Sequence, residues 1–145
     1  MKRLIFILLT FVLAASCTKT TTNPPAISLT GKWRMNGVFY TGSGSYDSSE
    51  RSSSAVYNGI EIQLNDNADT GGISGHTLYN TFTGGYKLTN NTIFIDSFSY
   101  TKISESGWGN LIFRYFPSAY SYRISGNYLY VFITGNSIYF VFQKE

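Results

Sequence analysis

Short runs with apolar side chains at alternate positions, separated by Gly-Asn turns, dominate the C-terminal part of the chain. The pairs Gly126-Asn127 and Gly135-Asn136 delimit three runs, which we predict as strands at residues 120–124, 128–134 and 138–144. A period of two residues places successive side chains on opposite faces of a sheet. Because short turns of this composition join antiparallel neighbours, the pattern limits this region to antiparallel sheet.

The composition favours the same class of structure for the rest of the chain. Aromatic residues make up 17% of the 145 residues, with 12 Tyr and 11 Phe, whereas charged residues make up only 13%. Aromatic and β-branched side chains fit the half-buried surface of a strand. Further strands are predicted at residues 29–40, 56–64, 73–76, 85–88 and 92–98, within one domain at residues 29–145.

Two connections and one helix interrupt these predicted strands. Residues 41–55 are rich in Gly and Ser, so we predict a long loop whose composition favours disorder, and we predict a turn at residues 65–72. Between the apolar anchors Leu78 and Phe82, Asn80 is predicted to hold a turn. Residues 105–118 carry apolar side chains at steps of three and four, which predicts a helix capped by Ser104 and ended by Pro117.

Residues 1–16 have the pattern of a secretory signal peptide. Lys2 and Arg3 precede an apolar run at residues 4–13, and small residues follow it. The run is shorter than the roughly 20 residues that a membrane-spanning helix needs. Removal of this segment takes two positive charges from a formal net charge of +3, so the remaining chain offers no electrostatic basis for binding nucleic acid.

The sequence Leu13-Ala-Ala-Ser-Cys17 resembles the lipobox of bacterial lipoproteins. In that family the peptidase cuts before the cysteine, whose thiol and new amino group are then acylated. The resemblance implies that Cys17 is a membrane anchor and that the polar residues 17–28 form a flexible tether. Thr18 follows directly, where Asp would signal retention in the inner membrane, and this implies the outer membrane. The alternative is ordinary cleavage that leaves Cys17 as a free or buried thiol.

The residue types that catalysis requires are scarce. His76 is the one histidine, and no Gly-x-Ser-x-Gly motif accompanies it. Asp96 lies between Phe94 and Phe98 and alternates onto their face, where a hydrogen-bonded structural role is favoured over acid–base catalysis. We therefore expect no enzyme activity.

One turn has a faint metal-site pattern. Asn65, Asn67 and Asp69 occupy every second position, as ligands do in a calcium loop, but no Glu closes the loop. A solvated turn is the favoured interpretation. The sequence thus predicts no metal and no cofactor.

Several short motifs keep the order and spacing of a known family. They are Leu29-x-Gly31-x-Trp33, Ser74-Gly75-x4-Asn80-x-Phe82-x-Gly84-x-Tyr86, Thr101, and, after the predicted helix, Tyr122-x-Ile124-x-Gly126-Asn127-x-Leu129. Together they resemble the META domain of HslJ-like proteins. The resemblance implies a mainly β (α+β) fold, which is a strongly bent antiparallel sheet or incomplete β-barrel with one helix. It also implies an envelope or secreted protein linked to stress resistance, with no catalytic residues to carry over.

Many members of that family have two cysteines, at the positions that Tyr79 and Glu105 occupy here. The resemblance therefore implies that a disulfide between these positions, and any redox role it supports, is absent from this chain.

A second resemblance gives an alternative function. Gly31-x-Trp33 matches the Gly-x-Trp that opens lipocalin barrels, which would imply a carrier of a small hydrophobic ligand. Lipocalins place their helix after the last barrel strand, whereas the helix predicted here precedes three strands. The order of elements therefore favours the META domain.

The last predicted hairpin is apolar on both faces. Leu129 and Val131 are expected to face the core, whereas Tyr128, Tyr130 and Tyr139 point the other way. Either the helix or a neighbouring strand covers this second face, or the tyrosines form a partly open cleft for an envelope protein or a lipid.

Overall fold

The structure, a computed structural model, describes residues 28–50, 59–135 and 137–145. The predicted signal peptide, Cys17 and all of the predicted tether except Ser28 lie outside the described residues, as do residues 51–58. The elements in chain order are β1 (Gly31–Tyr40), β2 (Ser45–Asp47), β3 (Glu61–Asn67), β4 (Thr70–His76), β5 (Thr81–Thr89), β6 (Thr92–Tyr100), α1 (Gly107–Tyr115), a 3-10 turn (Phe116–Ser118), β7 (Ala119–Ser125), β8 (Tyr128–Ile133) and β9 (Ile138–Lys144).

The strands form one antiparallel sheet that closes on itself. The order is β2-β1-β3-β4-β5-β6-β7-β8-β9, and β9 also pairs with β1, from Trp33 opposite Lys144 to Tyr40 opposite Ile138. Eight strands thus make a barrel, and β2 is an extra strand beside the end of β1. The predicted mainly β fold with one helix is confirmed.

Large side chains fill the interior of this barrel. The most completely buried of them are Trp33, Phe82, Tyr86, Phe116, Phe140 and Phe142. Phe116 lies 6.4 Å from Phe140 and 6.3 Å from Phe142 between ring centroids, so the turn after α1 inserts into the core. The single helix therefore closes one end of the barrel from inside.

Two β-bulges change which side chains face inward. In β1 the register shifts between Met35 and Gly37, so Met35 and then Val38 face the core while Phe39 faces out. In β6 the extra residue is Asp96, because Tyr86 pairs with Ile95 and Gly85 pairs with Ser97. A bulge of this kind inserts one residue and so reverses the alternation that follows it.

The bulge in β6 corrects the expectation for Asp96. Phe94 is 61% exposed, whereas Phe98 packs against the core, so these two rings lie on opposite faces. Asp96 itself is exposed and lies 3.7 Å from the Lys87 ammonium. A simple alternation of two residues was wrong here because it took no account of the inserted residue.

Three local predictions also differ from the structure. Within residues 41–50 a hairpin forms, with β2 pairing to the end of β1. The predicted turn at residues 65–72 is mostly strand, since β3 and β4 are joined by Ala68 and Asp69 alone. The helix is shorter than predicted, and Ser106 rather than Ser104 is its N-cap residue.

Candidate binding surface

Two of the three predicted tyrosines meet on the outside of the barrel. Because Leu129 and Val131 are buried in the core, the alternate side chains of β8 point outward. The rings of Tyr130 and Tyr139 lie 6.1 Å apart, and Phe132 lies 5.2 Å from Tyr139. Tyr128 also points outward and lies opposite Gln143, but none of the ring contacts found among the described residues involves it.

Two further residues complete this surface. Phe39 of β1 stacks on Tyr139, with ring centroids 4.8 Å apart and an angle of 17° between the planes. The guanidinium of Arg123 lies 4.7 Å from the centroid of the Tyr130 ring, a cation–π geometry. We call Phe39, Arg123, Tyr130, Phe132 and Tyr139 the outer aromatic face.

The outer aromatic face is half-buried by its own members. Val141, which points outward between Tyr139 and Gln143 on β9, is only 5% exposed although it does not belong to the core cluster. The helix packs on the inside, through Trp108 and Ile112, and neighbouring strands supply Phe39 and Arg123. What remains accessible is a mixture of ring edges, phenol hydroxyls and one guanidinium, which suits a partly apolar, partly polar partner.

A buried polar network connects the β4–β5 turn to the segment before α1. The side-chain amide of Asn80, 2% exposed, donates to Glu105 Oε2 at 2.7 Å and to the carbonyl of Ile103 at 2.9 Å. Glu105 also accepts from the Thr77 hydroxyl at 2.6 Å and the Leu78 N–H at 3.1 Å. The prediction that the Asn80 side chain holds its own turn was wrong, because that side chain bonds the segment before α1 and the turn is closed instead by bonds between Thr77 and the Asn80 backbone. Leu78, 48% exposed, is not an anchor in the core.

The start of α1 is held by the hairpin that precedes the undescribed segment. Glu50 accepts the N–H of Trp108 at 2.8 Å, and Asp47 accepts its indole N–H at 3.0 Å. A carboxylate at this position satisfies a free helix donor and interacts well with the helix dipole. Hydrogen bonds from Ser49 and from Trp108 hold the pKa of Asp47 below its usual value.

His76 lies in a charged cluster on the outer wall. Its Nε2 is 3.3 Å from Glu61 Oε2, and the same carboxylate accepts Lys32 at 2.7 Å and Arg34 at 2.8 Å. Burial raises the pKa of Glu61, but hydrogen bonds from Lys32 and Arg34 outweigh it and hold the pKa below the usual value. The arrangement satisfies a carboxylate that is only 7% exposed, and the imidazole bonds Glu61 and the Thr77 carbonyl.

A second carboxylate fixes the other end of the barrel. Asp66 accepts the backbone N–H of Leu29 at 2.5 Å and of Thr30 at 3.1 Å, the Ser28 hydroxyl at 2.8 Å, and the hydroxyl of Tyr86. Burial raises the pKa of Asp66, but these donors, with Tyr86 foremost, hold it below the usual value.

Neither a metal site nor a membrane-spanning helix was found in the described part of the chain. No group of three or more His, Cys, Asp or Glu side chains among those residues is placed to hold a metal ion. Within the same residues, no helix is long and apolar enough to cross a membrane.

Comparison with known proteins identifies solved structures with a similar fold. A crystal structure of a DUF4847 family protein from Bacteroides vulgatus matches with a TM-score of 0.56 and 15% identity, over 80% of this chain and 93% of that one. An NMR structure of a protein from Burkholderia xenovorans matches with a TM-score of 0.55 and 14% identity, over 79% of this chain and 81% of that one. At these identities the likeness concerns the fold alone. No family model and no curated protein matches the sequence.

The sequence located Tyr130 and Tyr139 but missed Phe39 and Arg123. Phe39 follows a bulge, and its partner Tyr139 lies on a strand 100 residues later in the chain. A closed barrel would suggest that the first and last strands meet, but it would not give their register. Arg123 follows the alternation of its strand, and that pattern alone could have placed it on the outer wall beside Tyr130.

Proposed function

We propose that this chain is an envelope lipoprotein of the outer membrane whose META-like barrel is a non-catalytic binding or envelope-stress module. The observation that carries the proposal is the sequence Leu13-Ala-Ala-Ser-Cys17 at the end of a basic and then apolar leader. A free thiol at that position has little other use, whereas two or three acyl chains on Cys17 would give stable anchoring.

The start of the barrel suits attachment to a tether. Leu29 and Thr30 donate to Asp66, so the described chain is held firmly from its first residues. Residues 18–28 between Cys17 and this point number 11, which span at most about 36–40 Å when extended. The helix α1 contacts Asp47, which pairs with Val38 in the C-terminal half of β1, away from the point where the tether joins.

The polar clusters support a binding module over an enzyme. His76 is paired with Glu61, and Asp96 is exposed beside Lys87. Asn80, Glu105 and Asp66 are engaged in several hydrogen bonds that hold the chain together. The outer aromatic face, by contrast, has half-exposed rings and hydroxyls, and it is the surface through which we expect an envelope protein or a lipid to bind.

The packing does not favour the lipocalin alternative. A carrier of that kind holds its ligand in the mouth of the barrel. Here Trp33, Tyr86 and Phe82 are among the large side chains that fill the interior, and each is at most 2% exposed.

Metabolic labelling tests the anchor. Cells producing the full chain should incorporate labelled palmitate into the protein and keep it in the outer-membrane fraction. Cys17→Ser should lose the label and release the protein, whereas the neighbouring change Ser16→Ala should leave both unchanged. Membrane retention of Cys17→Ser at the wild-type level would contradict the proposal.

Paired cysteines test the META resemblance separately. If Tyr79 and Glu105 occupy the positions of the family's two cysteines, Tyr79→Cys/Glu105→Cys should form a disulfide under oxidising conditions. The control Tyr79→Cys/Lys102→Cys should not. Free thiols in the first variant under the same conditions would contradict the resemblance at these positions.

A further inference from the structure

The barrel has one incompletely paired seam. β6 pairs with β5 along its whole length, from Thr89 opposite Thr92 to Phe82 opposite Tyr100. Its other neighbour, β7, pairs with it only at Thr92 opposite Ser121. Among the described residues, the second edge of β6 therefore has no strand partner beyond its first residue, Thr92.

The direction of the backbone groups at this edge follows from one hydrogen bond. Thr101 donates its N–H to the carbonyl of Thr81, so Thr101 faces β5. Because backbone groups alternate along a strand, Ser99 faces β5 as well, and Phe98 and Tyr100 direct their N–H and C=O groups to the open edge. Among the described residues, β7 lies opposite neither Phe98 nor Tyr100, and no backbone hydrogen bond outside the strand ladders involves either residue.

The two sides of this edge differ in chemistry. On the inner side, Tyr100 stacks on Phe113 of α1 with centroids 4.2 Å apart, and its ring is still 42% exposed. Phe98 packs 5.9 Å from Phe116 on the same side. On the outer side, Ser97 and Ser99 are exposed.

We propose that the open edge of β6, from Phe98 to Tyr100, binds an extended polypeptide segment of a partner protein, which adds to the sheet as a strand. The spacing of unpaired backbone donors and acceptors is matched by another extended backbone and not by a lipid. The segment alternates apolar and polar residues, since one side of the edge offers the Tyr100–Phe113 pair and the other offers serines. This site is separate from the outer aromatic face and does not depend on the lipid anchor.

Hydrogen exchange measured by NMR on the full chain as cells produce it tests the free state. The amides of Phe98 and Tyr100 should exchange much faster than those of Ser97 and Ser99, which face β5. Equal protection of all four at every protein concentration would show that the edge is already covered and would overturn the proposal. Protection of Phe98 and Tyr100 that rises with protein concentration would identify a second copy as the occupant and would also overturn it.

Displayed peptides test the occupant. A library of ten-residue peptides with alternating apolar and polar positions should yield binders that protect the Phe98 and Tyr100 amides. A library of the same composition with helical spacing should yield none. Each backbone amide of a selected peptide is then N-methylated in turn. Methylation at every second residue should abolish binding, and methylation at the residues between should leave the affinity unchanged, because only alternate amides face β6. Equal effects at all positions would contradict strand addition.

A pair of substitutions separates backbone from side chain. Tyr100→Ala keeps the N–H at the edge, whereas Tyr100→Pro removes it, and proline is tolerated at strand edges. The proline variant should bind the selected peptide about tenfold more weakly than the alanine variant at a similar melting temperature, as expected for one lost backbone hydrogen bond. Equal affinities would overturn the proposal. If the proline variant does not fold, the N-methylation series decides the question without any change to the protein.

Discussion

The side-chain amide of Asn80 donates to Glu105 Oε2 at 2.7 Å, and this bond joins the β4–β5 turn to the segment that leads into α1. Under the proposed META resemblance, Tyr79 and Glu105 occupy the positions at which many members of that family have cysteines. In this chain a carboxylate that accepts from the side chains of Asn80 and Thr77 and from the Leu78 N–H connects the same two segments without sulfur chemistry.

Loss of the Glu105 carboxylate should therefore destabilise the fold. Glu105→Ala leaves the buried Asn80 amide and Thr77 hydroxyl with fewer acceptors, so we expect the free energy of unfolding to fall by about 1–3 kcal/mol in urea denaturation. Lys102→Ala, an exposed change in the same segment, should stay within about 0.5 kcal/mol of wild type. Equal stabilities of the two variants would show that the network contributes nothing.

Acidification should lower the free energy of unfolding by protonating Glu61. The pKa of this carboxyl in the folded state lies below its usual value of 4.5, because hydrogen bonds from Lys32 and Arg34 outweigh burial. Because the pKa of Glu61 is lower in the folded protein than in the unfolded chain, the ionised carboxylate stabilises the fold. This contribution is fully present above about pH 4.5 and is lost as the pH falls through the pKa of the folded state. Glu61→Gln should therefore be less stable than wild type at pH 7, and the difference should shrink on acidification below about pH 4.5.

Arg34→Gln provides the matched variant for this pH effect. It removes one of the two cations that hold the Glu61 pKa down, so it should reduce the same acid dependence without abolishing it. A difference between wild type and Glu61→Gln that is constant from pH 7 to pH 3 would contradict the assignment.

The hydrogen bond from the Tyr86 hydroxyl to Asp66 should contribute measurably to the stability of the fold. It donates to Asp66, and burial together with this carboxylate raises the pKa of Tyr86. Tyr86→Phe removes a hydrogen bond to a charged group, so we expect a loss of about 1.5–3 kcal/mol in thermal or urea unfolding. Tyr120→Phe, on a ring that is 49% exposed, should be nearly neutral, and a comparable loss in that control would contradict the interpretation.

Much of the fold could be predicted because most strands obey simple alternation. Leu129, Val131 and Ile133 are all buried as the pattern indicates, and so are Ile62 and Leu64 of β3. The failures occur at bulges and caps. The extra residue Asp96 separates Phe94 from Phe98, and the helix start is capped by Glu50, which lies 58 residues before Trp108. Contacts of that range depend on packing between distant segments, which a local pattern does not record.

Part of the outer aromatic face could be predicted from the sequence for the same reason. Alternation along β8 and β9 placed Tyr130 and Tyr139 on one face. The Phe39–Tyr139 stack requires both the closure of β1 on β9 and the bulge between Met35 and Gly37, and neither has a local signal in the sequence.

Site-specific crosslinking tests the central claim most directly, namely that the barrel binds an envelope component through the outer aromatic face. A photoreactive residue replacing Tyr139 should give one discrete adduct in intact cells, whereas the same residue replacing Lys87, exposed on β5 across the barrel, should give none. Tyr130→Ser should weaken binding of the purified component with little change in melting temperature. The same adducts from both positions, no adduct from position 139, or a large fall in melting temperature for Tyr130→Ser would contradict the account.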